Sequence, residues 1–371
     1  MKFIIEKDIL LDKLTNVMRA VNPRNIIPIL DGVKFDLKKE GLYLTASDSD
    51  LMIQSFIDKK EIKKIEKTGT IIIQAKYLLD IIRKLPNEDI NIEVIDSLKI
   101  LISTKNTVFN LNCLNLDEYP NINFEETKNP LILKGNILKE IINQTIYAVS
   151  TQEARPILTG VNIKVEDNML NCIATDSYRM SKKTIKLDKS YDSIEVVIPG
   201  KNLNEFDKLL TNDNNVEIHL FTNKVLFKYD DYLFQSNLLS GSFPNTQSLV
   251  PSEFKFILNA TLNSFREAID RAALLTQSKD RNIVKLETTE SGVLISSYAS
   301  EIGKVEENVL LDKNTDESLV ISFSSKYMLE ALRNLNEEEI LILINSECSL
   351  ITIKSVKDES LIQVVLPIRT Y

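Results

Sequence analysis

Tryptophan is absent, histidine occurs once, and only nine glycines and three cysteines are spread over 371 residues. Each scarcity removes a class of chemistry. A lone histidine rules out histidine-rich metal sites and the His-Glu-x-x-His pattern. His219 itself lies in the alternating run Val216 to Phe221 and reads as a strand residue rather than a base. With so few glycines there is no phosphate loop ending in Gly-Lys-Ser/Thr, no Gly-x-Gly-x-x-Gly and no Gly-x-Ser-x-Gly. Cys113, Cys172 and Cys348 are too far apart to pair as metal ligands, and an odd count gives no disulfide framework. A reduced, cytoplasmic chain without cofactor or metal is the expectation. No apolar run approaches the ~18 residues of a membrane span. Met1 to Lys13, broken by Glu6, Lys7 and Asp8, does not read as a signal peptide.

What is present is ordinary in kind: 43% hydrophobic and 26% charged residues, enough apolar material for several cores. The balance of 53 acidic against 45 basic residues gives a formal charge of −8. A protein that held DNA by a broad basic surface would be cationic. Any DNA role here therefore needs a local basic strip or a topological grip.

The informative feature is self-similarity, at a period of roughly 125 residues. Asp8 to Val21, Asn136 to Val149 and Thr261 to Leu274 each read as a helix, opening on a residue able to cap its N-terminus and ending near Ala20, Ala148 or Ala273. In the first two copies the helix leads to matching strand segments, Pro28-Ile-Leu-Asp-Gly-Val33 and Pro156-Ile-Leu-Thr-Gly-Val161. Ala46-Ser-Asp-Ser49 and Ala174-Thr-Asp-Ser177 follow at the same offset, whereas the third copy, at Arg281-Asn-Ile-Val-Lys-Leu286, has lost the signature. A second helix recurs without gaps at Lys76–Leu85, Lys201–Leu210 and Lys326–Leu335. Each is preceded by a β run (Thr70 to Gln74, Glu195 to Ile198, Leu319 to Phe323) and followed by two alternating runs. The expected fold is α+β: three tandem copies of a two-helix, antiparallel-sheet domain, at 1–126, 127–252 and 253–371.

On the second helix Leu78, Ile81, Ile82 and Leu85 form one apolar face. Lys76 and Arg83, seven residues apart, share the opposite face, and Lys201 with Lys208 and Lys326 with Arg333 repeat the pattern. Helices arranged around an axis would line a channel with these cations, while net acidity elsewhere repels phosphates. Asp80, Glu205 and Glu330 stand between the cations and would neutralise part of the charge. The first helices add Lys13, Arg19 and Arg266, and the loops after them add Arg24, Arg155, Lys279 and Arg281. Asp48 and Asp176 resemble a carboxylate pair for acid–base work, but as equivalent residues just past a strand they read as turn aspartates.

With the repeats laid out, the chain resembles the bacterial DNA polymerase III beta subunit family, the sliding clamps, along its whole length. The local matches are Ile27-Pro-Ile-Leu30, Ala174-Thr-Asp-Ser-Tyr-Arg-Met180, Leu239-Ser-Gly-Ser-Phe-Pro244 and Val364-Val-Leu-Pro-Ile-Arg369. The Arg369-Thr-Tyr371 ending is similar to clamps of low-GC Gram-positive bacteria. The resemblance implies a non-catalytic processivity factor: a head-to-tail homodimer closing a ring of six domains, helices inside and sheets outside. It implies contacts to double-stranded DNA, independent of sequence, at Arg24, Gln152, Lys201, Lys279 and Arg281. At the dimer interface it sets Phe109 and Leu111 against Leu274 and Leu275, with Glu301, Glu306 and Glu307 adding charge. It also implies a groove for short peptides of polymerase, clamp loader and repair proteins, lined by Leu158, Thr175, Ser177, Tyr178, Arg179, Met180, Pro244, Leu249, Val364 and Leu366.

The chain departs from some relatives by carrying Ser177-Tyr178 in place of Gly-His, and Pro156, Ile157, Gly200 and Ser248 at loop positions often basic or aromatic. Two rival readings are a repeat scaffold unrelated to DNA, which would not keep the cations at Lys76, Lys201 and Lys326, and a hydrolase using Asp176 and Arg179.

Overall fold

The computed structural model describes residues 1–22, 27–96, 98–276 and 282–369. The chain packs as two compact units, residues 1–138 with 201–238, and residues 139–200 with 239–371. Each unit thus takes part of the middle segment.

Six α-helices occur among the described residues: α1 (Lys7–Val17), α2 (Ala75–Lys84), α3 (Gly135–Ile146), α4 (Gly200–Asp207), α5 (Leu262–Ala273) and α6 (Ser325–Leu332). The expected caps do not act as caps. Asp8 lies inside the first turn of α1, and Thr261 precedes α5 without a side-chain bond. The reason is that strands run straight into these helices, and their first amides are met from outside: Gly135 donates to the Asn214 carbonyl (2.9 Å) and Leu262 to that of Glu338 (2.8 Å). The Pro-Ile-Leu segments also differ from expectation. Pro28–Asp31 and Pro156–Thr159 are 3-10 turns, and the strands begin at Gly32 and Gly160. A proline at the first position of each turn supplies no amide to a sheet and suits a helical turn instead.

In the first unit one antiparallel sheet of thirteen strands runs, in spatial order, from Leu131–Lys134 through Asn215–Leu220, Lys224–Tyr229, Tyr232–Asn237, Leu51–Asp58, Gly41–Ser47, Gly32–Leu37, Gly69–Gln74, Val108–Leu114, Lys99–Ser103, Asp89–Asp96 and Lys2–Glu6 to Ile62–Lys67. The first-copy and middle-copy segments are joined within it by the pairing of Leu51–Asp58 with Tyr232–Asn237, in register Ile53 with Phe234. Helix α1 packs on the Leu51–Asp58 strand and on α2. Beneath α4 the rings of Phe206, Phe227 and Phe234 cluster with centroids 4.3–6.0 Å apart, each fully buried.

The second unit repeats the join. Arg179–Pro199 pairs with Leu361–Val365, Met180 opposite Val364, in a seven-stranded sheet. A four-stranded sheet orders Gly303–Leu310, Gly292–Ala299, Ile283–Thr289 and Val320–Ser324. Between the two sheets lies a core in which Phe265, Ala268 and Ile269 of α5 meet Met328, Ala331 and Leu332 of α6. Full burial of a leucine- or phenylalanine-sized side chain contributes ~1.5–3 kcal/mol, so this core rather than helix propensity holds two short helices.

Candidate nucleic-acid face and peptide groove

Asp48 and Asp176 do the same job in their two copies. Asp48 Oδ1 accepts from the amides of Asp50 (3.1 Å) and Leu51 (2.7 Å), and Asp176 Oδ1 from those of Tyr178 (2.9 Å) and Arg179 (3.0 Å). Between them Ser49 and Ser177 take left-handed backbone angles, φ 78° and 77°. Asp176 Oδ2 receives the Arg179 Nε at 3.0 Å, so both of its oxygens are occupied. Each aspartate closes a turn and aims the following strand.

That turn delivers Arg179 into a buried cage. Its guanidinium binds Glu330 of α6 as well as Asp176, and lies 4.6 Å from the ring centroid of Tyr327 and 5.3 Å from that of Tyr147. The Tyr147 hydroxyl donates to Gln363. Burial raises the Tyr147 phenol above its ordinary range, with the Arg179 charge pulling the other way. Tyr178, by contrast, is exposed, and its ring stacks on Tyr327 with centroids 6.3 Å apart. Sequence reasoning missed Tyr147, Tyr327 and Gln363; the signal for Tyr327 was its match to Tyr77, each following the first lysine of its helix.

The residues named for the groove all fall in the second unit and divide by exposure. Leu158, Thr175, Arg179, Met180 and Val364 are buried, while Ser177, Tyr178, Pro244, Leu249 and Leu366 reach solvent. Met180 and Val364 are register partners, Thr175 pairs with Met180, and the Leu366 amide donates to the Tyr178 carbonyl at 2.9 Å. The structure therefore gives a floor of buried apolar groups with Tyr178 and Leu366 at its rim. Arg179 belongs beneath that floor rather than to the polar rim, because its charge is already met by two carboxylates.

All six repeated cations, Lys76, Arg83, Lys201, Lys208, Lys326 and Arg333, are exposed, while Leu78, Ile82 and Leu85 on the other face of α2 are buried. The intervening acids differ in what they do. Asp80 pairs with Arg83 (3.2 Å) and Glu205 with Lys208 (2.5 Å), but Glu330 turns to Arg179 and leaves Lys326 and Arg333 without a carboxylate among the described residues. Lys13 and Arg19 are committed to the packing of the first unit, Lys13 to Asp231 at 3.1 Å and Arg19 to Glu205 at 3.4 Å. Gln152 and Arg155 are exposed; Arg24, Lys279 and Arg281 lie outside the described residues.

Of the residues expected at a dimer interface, Phe109, Leu111 and Leu275 are half-buried and Leu274 is 64% exposed. Glu307 is held by Arg271 of its own chain (2.6 Å), which depresses its carboxyl, and Glu306 pairs with Lys304. Glu301 is exposed.

One three-residue group among the described residues has metal-ligand geometry: Glu126, Glu217 and His219, with ligating atoms within 4.8 Å of one another. The imidazole does not suit a metal there. Its Nδ1 accepts the Thr127 amide at 2.8 Å, which places the hydrogen of a neutral ring on Nε2, the nitrogen facing the carboxylates. The Lys228 ammonium already stands against Glu126 at 3.0 Å.

Repeated helix–sheet segments, exposed cations in register on the second helix of each copy, and buried apolar groups rimmed by Tyr178 and Leu366 are the features of a repeat-built binding protein. Three family models cover almost the whole chain: the DNA polymerase III beta subunit N-terminal domain at residues 1–123, its central domain at 132–245 and its C-terminal domain at 247–369. The beta sliding clamp of Bacillus subtilis is 43% identical over 378 residues and that of Halalkalibacterium halodurans 38% over 381, each match covering all of both chains. Among solved structures, the DNA polymerase sliding clamp of Bacillus subtilis superposes with a TM-score of 0.96 at 43% identity, and the DNA polymerase III beta chain of Streptococcus pneumoniae with 0.94 at 34%, again over the full length of both chains. The chain belongs to the DNA polymerase III beta subunit family, the beta sliding clamps. Its role is that of a non-catalytic processivity subunit in DNA replication.

Proposed function

We propose that two copies of this chain close head to tail around duplex DNA and tether the replicative polymerase, the clamp loader and repair proteins through short peptides in the groove. The domains would run 1–126, 127–252 and 253–371, with the second helices turned inward. The observation that carries the reading is the set of six exposed cations at the same two positions of α2, α4 and α6 and just beyond. Such cations meet phosphates without reading bases, so contacts stay weak and the duplex slides, while retention comes from closure of the ring.

Sheet edges support the closure. Val108–Leu114 meets Gly69–Gln74 only at Cys113 and Leu114, which among the described residues leaves Val108 to Asn112 open on that side. Among the described residues Gly303–Leu310 pairs with Gly292–Ala299 alone. These are the repeat equivalents of the strands already joined elsewhere in the chain. Leu111 pairs with Ile100 as Val365 pairs with Ile351, and Tyr298 with Lys304 as Thr175 with Met180. Carrying over the register of Met180 opposite Val364 sets Lys304 opposite Asn110 of a second copy, and Val305 opposite Phe109. Open edges that complete each other across copies remove an aggregation hazard.

Acting on DNA in replication, the ring would work in the cytoplasm; among the described residues no helix is long and apolar enough to cross a membrane. Retention on DNA tests the proposal: after loading, the protein should stay on a nicked circle and be lost from the same molecule once linearised. Equal loss from both would remove the topological reading.

A further inference from the structure

The face of the second-unit sheet that carries Met180 continues past the apolar floor. Along Arg179–Pro199 the residues alternate cleanly. Ser181 donates to the Gln144 carbonyl of α3 and Lys183 reaches Glu140 of α3 at 3.0 Å, so 179, 181 and 183 face the helices. Residues 180, 182 and 184 therefore point away from them. Their partners share that outer face: Thr175 beside Met180, Ile173 beside Lys182, Asn171 beside Thr184, and on the other flank Val364 and Ile362. Thr175, Met180 and Val364 thus run without interruption into Ile173 and Lys182.

Beyond that point the surface deepens into a cleft of about 330 Å³, lined by Asn162, Lys164, Asn171, Ile173 and Lys182, by the carboxylates of Glu166 and Glu195, and by residues 243–247. Pro244 belongs to this last segment, so the cleft and the groove share a side. The chemistry changes along the trough from apolar to polar. Two of the polar groups are already matched: Lys164 pairs with Glu166 at 2.8 Å, and Asn162 donates to Glu195 at 3.0 Å. Lys182 is half-buried in the cleft and has no carboxylate within ion-pair distance among the described residues.

We infer that this cleft is a second subsite for partner peptides, in which Lys182 binds an acidic side chain located a few residues along the chain from the apolar anchor. The inference rests on the groove proposed above. An extended peptide spans ~3.3 Å per residue, so an acid two to four residues from the anchor reaches the cleft. The ammonium supplies a charge-assisted hydrogen bond, about twice as strong as one between neutral groups. The apolar floor would then set affinity for partners in general, and Lys182 would rank them.

The test uses the full chain and fluorescein-labelled synthetic peptides read by polarisation. The parent is a six-residue peptide whose only apolar side chains are two leucines and a phenylalanine. One series adds Gly-Asp-Glu-Asp to its N-terminus, one adds it to its C-terminus, and controls carry Gly-Asn-Gln-Asn. The expected result is that one acidic extension tightens binding about fivefold or more over its amide control. Lys182→Ala should abolish that gain, Lys182→Arg should keep most of it, and neither should alter affinity for the parent peptide, which also reports that the variants are folded. If neither acidic extension improves on its control, or if the gain survives Lys182→Ala, the subsite is overturned. Failure of the parent peptide to bind wild-type protein would instead bring down the groove, and the subsite with it.

Discussion

Glu330, though placed on α6 between Lys326 and Arg333, gives its carboxylate to Arg179, 151 residues earlier in the chain. Its counterpart on α4, Glu205, holds Lys208 just past its own helix as well as Arg19. The consequence is twofold: the cations of α6 are left unneutralised, and a nearly buried guanidinium is held between two acids and two aromatic rings.

That cage predicts a stability effect confined to one residue's geometry. Removing one partner of a buried ion pair typically costs 3–5 kcal/mol, because the other charge stays buried. Arg179→Met, which strands Asp176 and Glu330, should cost about 3 kcal/mol, reduced somewhat by the partial exposure of Glu330. Arg179→Lys should recover only part of it, since an ammonium lacks the planar fork. Urea unfolding of the three proteins decides the matter; a midpoint for Arg179→Met unchanged from wild type would contradict the cage.

Because His219 is the only histidine, its titration can be followed as a single imidazole resonance. Burial holds its pKa below the ordinary 6.5, against the opposing pull of Glu126 and Glu217 and with the help of Lys228. The sign follows from which state binds the proton first. The unfolded chain protonates near 6.5 and the folded one later, so stability present above 6.5 should decline as pH falls through that value. A midpoint at or above 6.5 in the folded protein would reverse the expectation.

The register carried over from the joined strands makes a crosslinking prediction. Phe109→Cys combined with Val305→Cys, in a Cys348→Ser background that removes the exposed native thiol, should form a covalent dimer on mild oxidation. Phe109→Cys with Glu306→Cys, displaced by one residue and facing the opposite side, should not. Equal yields from the two pairs on denaturing gels would rule out that register.

Charge on the repeated helices should appear as a salt effect. Each phosphate contact removed lowers the slope of log affinity against log salt by ~0.9. Lys76→Ala, Lys201→Ala and Lys326→Ala together remove six cations from a ring of two copies, and should flatten the slope by up to about five and weaken duplex binding alike on any sequence. Lys59→Ala, Lys60→Ala and Lys67→Ala, on the exposed turn and strand around Ile62–Lys67, should leave it alone. The same slope in both triple variants would show that the helices do not face DNA.

Much of this was legible in the sequence because repetition amplifies weak signals. The cations of α2 were readable from a period of seven, since helix geometry fixes which residues share a face. The turns at Asp48 and Asp176 were readable from their offset. The caps were misread because propensity describes an isolated helix end, whereas at Gly135 and Leu262 tertiary neighbours satisfy the amides. The Arg179 cage was not legible at all. Nothing local in Tyr147, Gln363 or Glu330 says that they converge on one guanidinium; only the pairing of Arg179–Pro199 with Leu361–Val365 brings them together. Lys182 was hidden for a related reason, since its partnerless state depends on which face of the strand it occupies.

The duplicated turn has diverged in what it fastens. In the first copy its tip carries Asp50, in an exposed ion pair with Lys201 at 3.3 Å; in the second it carries Tyr178, laid against Tyr327. Salt loosens the former and leaves the latter untouched. One inherited clasp has thus become two with different vulnerabilities: rising ionic strength should part Asp50 from Lys201 and leave that tip on its hydrogen bonds from Asn237, while the Tyr178 tip stays fastened.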